Sequence, residues 1–154
     1  MPPDFPLQVV LDYRHNRVQL MEIELGRLQA LYQAQQARLA KLRDSREQLF
    51  AELRERQNGE VEMAVVALLR LNIRGVERGI ETEQTTLAEL SLKVMEQQQK
   101  VIAARQDEET LETLKENAQV RFRAGQARRE ERQRDDIYIA QAHRRAAQVA
   151  GGLL

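Results

Sequence analysis

Cysteine and tryptophan are absent from the 154 residues, aromatic side chains make up 4%, and proline occurs three times, never beyond position 6. Without thiols there is neither a disulfide framework nor a thiolate metal site, and a cytoplasmic setting is expected. Pro2, Pro3 and Pro6 stand where a first helical turn tolerates them, so everything afterwards is free to be helix. A surplus of one charge is lacking too. Lys+Arg and Asp+Glu number 24 each, which leaves the whole chain no net charge with which to collect phosphates or an anionic membrane. No uninterrupted apolar run approaches the ~18 to 20 residues that crossing a bilayer requires. The opening MPPDFPLQ has no basic region leading into an apolar stretch. Direct membrane insertion is therefore not expected.

What the sequence does contain is 31% charged residues within a background rich in Gln, Ala, Leu, Glu and Arg. That mix belongs to long helices and coiled coils. A seven-residue frame with steps of three and four starts at Leu11 and lands on Arg14, Val18, Met21, Leu25, Leu28, Tyr32, Gln35, Leu39, Leu42, Arg46, Leu49 and Leu53. Such a period keeps one narrow apolar stripe on a partner helix over many turns. The stripe stops at RERQNGE, where Asn58 and Gly59 accept left-handed backbone angles and Glu60 and Glu62 suit the positive start of a new helix. A second frame then runs from Val66 through Leu69, Ile73, Val76, Ile80, Glu83, Leu87, Leu90, Val94, Gln97, Val101, Ala104, Glu108, Leu111, Lys115 and Ala118 to Phe122.

A tight turn between two such helices makes them antiparallel neighbours. It sets Leu53 opposite Val66, Leu28 opposite Leu90, and the two polar breaks Gln35 and Glu83 opposite each other. A polar layer in an apolar seam fixes register. The expected fold is all-α: a long two-helix antiparallel coiled-coil hairpin with an extended C-terminal helical arm. Its expected parts are helix 1 over about 6–57, a turn at 58–60 and helix 2 over 61–149, unpaired from about 112.

Two features exceed a plain coiled coil. VEMAVVALLRLNI is apolar on more than one stripe, with Val61, Val65, Leu68 and Leu71 outside the frame. This surplus is either covered by the turn and Phe50 or is a docking surface. Gly75 and Gly79 share a face, which reads as local bending or as a shallow groove for another backbone.

The second is RFRAGQARREERQRDD, residues 121–136, which holds six arginines. A nucleic-acid-binding helix is the first suggestion. Glu130, Glu131, Asp135 and Asp136 cancel most of the charge, and no aromatic stacking platform accompanies it, so nucleic acid is not the expected partner. Protein docking suits the run better, with dense i,i+4 acid and base pairing available along the arm.

Enzymatic constellations are missing. There is no glycine-rich phosphate loop, His15 and His143 are far apart in a hairpin, and Asp107, Glu108 and Glu109 at consecutive helical positions point in different directions. The chain is not expected to be an enzyme or to carry a metal or cofactor.

The start FPLQVVLDYRHNRVQ and the later LETLKENAQVRFRAGQARREERQRDDIYIAQAHRR resemble the two ends of the FliJ family of flagellar export proteins. The first carries the Phe, Leu-Gln, Val-Leu and Arg pattern; the second carries Leu-Glu-x-Leu-Lys leading into a charged helix and an Asp-Asp-Ile segment. Pro6 and Gly125 depart from that pattern.

The resemblance implies a cytoplasmic, stalk-like coiled coil, peripheral at the inner-membrane export apparatus. Its partners would be the hexameric flagellar export ATPase, the cytoplasmic domain of the export gate and export chaperones. By position along the helices it places Phe5, Leu7, Leu11, Arg14, Phe122, Arg123, Arg128, Arg129 and Arg132 on the ATPase side. It places Leu42, Leu49, Leu68, Val76 and Gly79 on the gate side. The injectisome counterpart of the same stalk, or a generic coiled-coil adaptor, shares this fold and is the alternative.

Overall fold

The computed structural model describes residues 4–152; Pro2 and Pro3 lie outside them. Two helices packed against each other form the fold, α1 at Gln8–Gln57 and α2 at Met63–Gly152, with no strand among the described residues. Helix α1 begins where the turn at Pro6 and Leu7 ends. The Gln8 N–H donates to the Phe5 carbonyl at 3.0 Å, and the Leu11 N–H makes the first helical bond, to Leu7, at 2.9 Å. Proline thus precedes the helix, where its missing N–H removes no helical bond.

The connection between the helices differs from the expected one. It spans 58–62, and no described residue, glycine included, has a positive φ. The Asn58 N–H closes α1 by donating to Glu55 at 3.3 Å, while the Glu62 carbonyl opens α2 by accepting from Val65 at 3.1 Å and Val66 at 3.2 Å. Spreading the reversal over a longer segment removes the need for left-handed angles at Asn58 and Gly59. Val61 and Glu62, expected within helix 2, belong to that segment.

The chain divides into two compact units. The first is the helix pair Asn16–Arg105, closed by the connection. Its seam follows the heptad frames: Val18, Leu28, Leu39, Val66, Leu69, Ile73, Ile80, Val101 and Ala104 are buried, and the intervening frame residues are half-buried. Two helices cover only one stripe on each other, so among the described residues no large side chain is completely enclosed. Each buried leucine or isoleucine contributes about 1.5 to 3 kcal/mol of transfer free energy.

Two glutamines occupy this seam. Gln35 donates through Nε2 to the Glu83 carboxylate and to the Glu83 carbonyl, and Gln97 donates to the Met21 carbonyl at 3.0 Å. The pairs Gln35–Glu83 and Met21–Gln97 share one antiparallel register about the 58–62 connection. Among the described residues no buried side-chain polar atom lacks a partner. At the rim Arg105 Nη2 contacts Glu22 Oε1 at 2.5 Å.

The second unit joins the start of the chain to the end of α2, residues 4–15 with 106–152. Leu11 and Leu111 are its buried aliphatic residues. Phe5, Glu108, Lys115, Phe122 and Gly125 are half-buried, whereas every residue from 126 to 152 is exposed. Solvation on all sides therefore starts near 126 rather than 112. Residues 4–7 are non-helical and advance up to ~3.3 Å each, about twice the 1.5 Å of a helix, so a few of them reach well along α2.

Candidate functional site

Phe5 and Phe122 face a common open cleft of about 710 Å³, which is also lined by Pro6, Gln8, Lys115, Ala118 and Arg123. The two phenylalanines supply its apolar part, and Asp4, Lys115 and Arg123 place charge of both signs around it. Two contacts hold this end together. Arg14 Nη1 donates to the Asp107 carbonyl at 2.8 Å, and His15 Nδ1 lies 2.6 Å from Glu108 Oε1. The Glu108 carboxylate raises the His15 pKa above its ordinary value, first by hydrogen bonding and then by its charge, with Glu112 and Asp12 adding to the effect. Glu108 breaks the heptad frame, and His15 is what it meets. Sequence reasoning missed this pair because His15 is off the frame; the signal was an acid at a seam position, which requires a partner across it.

Of the residues placed on the ATPase side, Phe5, Phe122 and Arg123 converge on the cleft. Leu7 is exposed at the turn, Leu11 is buried in the seam, and Arg14 is committed to Asp107. Leu11 and Arg14 therefore contribute to the packing of this end. Arg128, Arg129 and Arg132 are exposed farther along α2.

The i,i+4 pairing expected along the arm does not form. Among the described residues the ion pairs are His15–Glu108, Arg27–Glu24 and Arg105–Glu22, all outside the arm. An exposed helical pair gains only ~0.2 to 0.5 kcal/mol, little against the entropy of ordering two long side chains. The arm's arginines are exposed.

The residues placed on the gate side belong to the Asn16–Arg105 unit. Leu42, Leu49, Val76 and Gly79 are half-buried and Leu68 is exposed. A Cβ on Gly79 would stand 3.7 Å from Leu42 Cδ1, an ordinary contact, and one on Gly75 would meet nothing within 4 Å. The turn and Phe50 leave most of the apolar surplus beside them uncovered: Val61, Leu68 and Leu71 are exposed while Val65 is half-buried, and Phe50 is itself half-buried.

The consecutive acids Asp107, Glu108 and Glu109 do not converge. The Asp107 carbonyl receives Arg14, the Glu108 carboxylate meets His15, and Glu109 is exposed. Among the described residues no group of three or more His, Asp or Glu side chains is placed to hold a metal ion. No helix among them is long and apolar enough to cross a membrane.

A paired helical seam interrupted by polar layers defines an all-α coiled-coil protein. A family model described as Flagellar FliJ protein matches residues 3–147. The chain belongs to the FliJ family and is a component of flagellar protein export, in a family that is structural and chaperone-like rather than enzymatic. No curated protein and no solved structure matches it.

Proposed function

We propose that the chain is a stalk-like coiled coil that binds the hexameric flagellar export ATPase, contacts the cytoplasmic domain of the export gate and assists export chaperones. It works in the cytoplasm, peripherally at the inner-membrane export apparatus. The observation that carries this reading is the stretch of α2 from 126 onward, exposed on all sides and with its arginines free of ion pairs. A lone charged helix is marginal in water and gains order by docking.

Arg128, Arg129 and Arg132 meet acidic loops around the ring, while the Phe5–Phe122 cleft with Arg123 accepts an apolar side chain from the same partner. Largely polar contacts suit a stalk that addresses identical subunits in turn, because they are individually weak and readily exchanged. The gate contact uses the exposed Leu68 and the half-buried Leu42, Leu49, Val76 and Gly79 around it. Gln35 and Glu83 hold the register of the helix pair that carries this contact.

The test is capture from cell extract with the intact chain and with Arg128, Arg129 and Arg132 all changed to Glu, scored for a hexameric ATPase. The intact chain should retain the ring and the variant should lose it. Equal capture by both would remove the role given to the arm.

A further inference from the structure

Charge balance over the whole chain conceals a segregation at the end of α2. From Ile137 to Gly152 there is no acidic residue, while Arg144, Arg145 and His143 stand together in the middle of the stretch. The segment is helical throughout and every residue in it is exposed. At about 100° per residue, Tyr138, Ile139, Ala142, Ala146, Val149 and Ala150 fall within a sector about 120° wide. Arg145 borders that sector on one side and His143 on the other. Gln141, Arg144 and Gln148 lie opposite, with Ile137 among them. The large members of the sector are open to solvent, with Tyr138 at 75%, Val149 at 66% and Ile139 at 54% exposure.

We infer that residues 137–152 form a membrane-surface helix that lies in the headgroup layer of an anionic bilayer. The apolar sector faces the acyl chains, Arg145 and His143 sit at headgroup level on its two sides, and Tyr138 takes the interfacial position suited to an amphipathic ring. Charge complementarity selects the occupant. An acid-free basic segment matches a surface of lipid phosphates, and cationic side chains near such a surface strengthen binding. A nucleic acid would use the arginines but leave the apolar sector in water. A helical protein partner would need large side chains to fill its holes, and alanine holds half of this sector. Shallow burial combined with electrostatic attraction requires neither large side chains nor a span of the bilayer. The mixed-sign run at 121–136 is a separate surface, so this inference does not depend on docking to the ATPase.

The test uses the full chain with vesicles of phosphatidylcholine alone and of phosphatidylcholine with phosphatidylglycerol. The chain contains no tryptophan, so Tyr138→Trp introduces a single fluorescent reporter. Expected results are co-sedimentation with the anionic vesicles only, release at high salt, and a blue shift of the reporter with protection from an aqueous quencher. Neutralising Arg145 to Gln should weaken binding about fivefold, and Arg144→Gln, on the opposite face, should weaken it less. The pair Arg144→Glu with Arg145→Glu should abolish it, and Ile139→Asp should weaken it with helicity unchanged. The inference is overturned by equal binding to neutral vesicles, by no binding to either kind, or by anionic binding that survives the double reversal. It is also overturned by co-sedimentation without a blue shift, or by heparin binding as tight as vesicle binding and indifferent to Ile139→Asp.

Discussion

Gln35 donates from one amide nitrogen to both the carboxylate and the carbonyl of Glu83 across the seam. It interrupts an aliphatic frame, Glu83 interrupts the other, and the antiparallel register brings them together through Nε2. Changing Gln35 alone to Leu leaves a half-buried carboxylate without that donor, and a loss of about 1 to 3 kcal/mol in urea unfolding is expected. Changing both to Leu should raise the melting temperature while broadening the set of registers, seen as extra oligomers or heterogeneous amide spectra. An unchanged, uniquely ordered double variant would remove the register role.

His15 gives the residue-scale pH dependence. Its folded pKa is raised by Glu108, so the pair's contribution is fully present below the unfolded value of about 6.5 and is lost as pH rises through the raised folded value. The native chain should lose more thermal stability between pH 6 and pH 8 than a His15→Gln variant, and an NMR titration of His15 should give a midpoint above 6.5. The Gln35–Glu83 layer was legible from the heptads because both residues are on the frame. The His15–Glu108 pair was only half legible, since one partner sits at the rim, where heptad spacing says nothing.

At the scale of the elements, burial follows the two frames almost position by position, which is why an all-α hairpin was readable from spacing alone. Steps of three and four select one stripe, and one stripe is all that a helix pair hides. The ends of the elements were less legible. The 58–62 connection reverses the chain without the left-handed angles that Asn58 and Gly59 would supply, because propensity marks a breaker but not the length of the reversal. Residues 4–7 reach along α2 because they are not helical, and helical counting therefore ended the pairing too soon. A Cβ at either Gly75 or Gly125 would meet nothing within 4 Å. Gly75→Ala and Gly125→Ala should each stabilise α2 by about 0.5 to 1 kcal/mol in urea unfolding. Loss of partner binding by the more stable Gly125→Ala chain would mean that the arm bends when it docks.

For the whole molecule, neutrality excluded a uniformly basic surface but not local charge. The acids of 107–116 and the arginines of 121–145 cancel in the total and lie on successive stretches of one helix. Composition averages over that order, so the arm's availability became visible only once its side chains were seen to be exposed and free of ion pairs. The surfaces that meet the export machinery remained the least legible part, because docking on a coiled coil depends on shape and exposed charge rather than on a catalytic motif with fixed spacing.

A stalk that enters a ring of identical subunits is present once, whereas an adaptor that binds each subunit separately is present up to six times. Native mass spectrometry of the hexameric export ATPase with saturating chain measures that number directly. One chain per hexamer is expected, and no complex when Arg128, Arg129 and Arg132 are reversed to Glu. Several chains per ring, or a complex that survives the triple reversal, would contradict the stalk role.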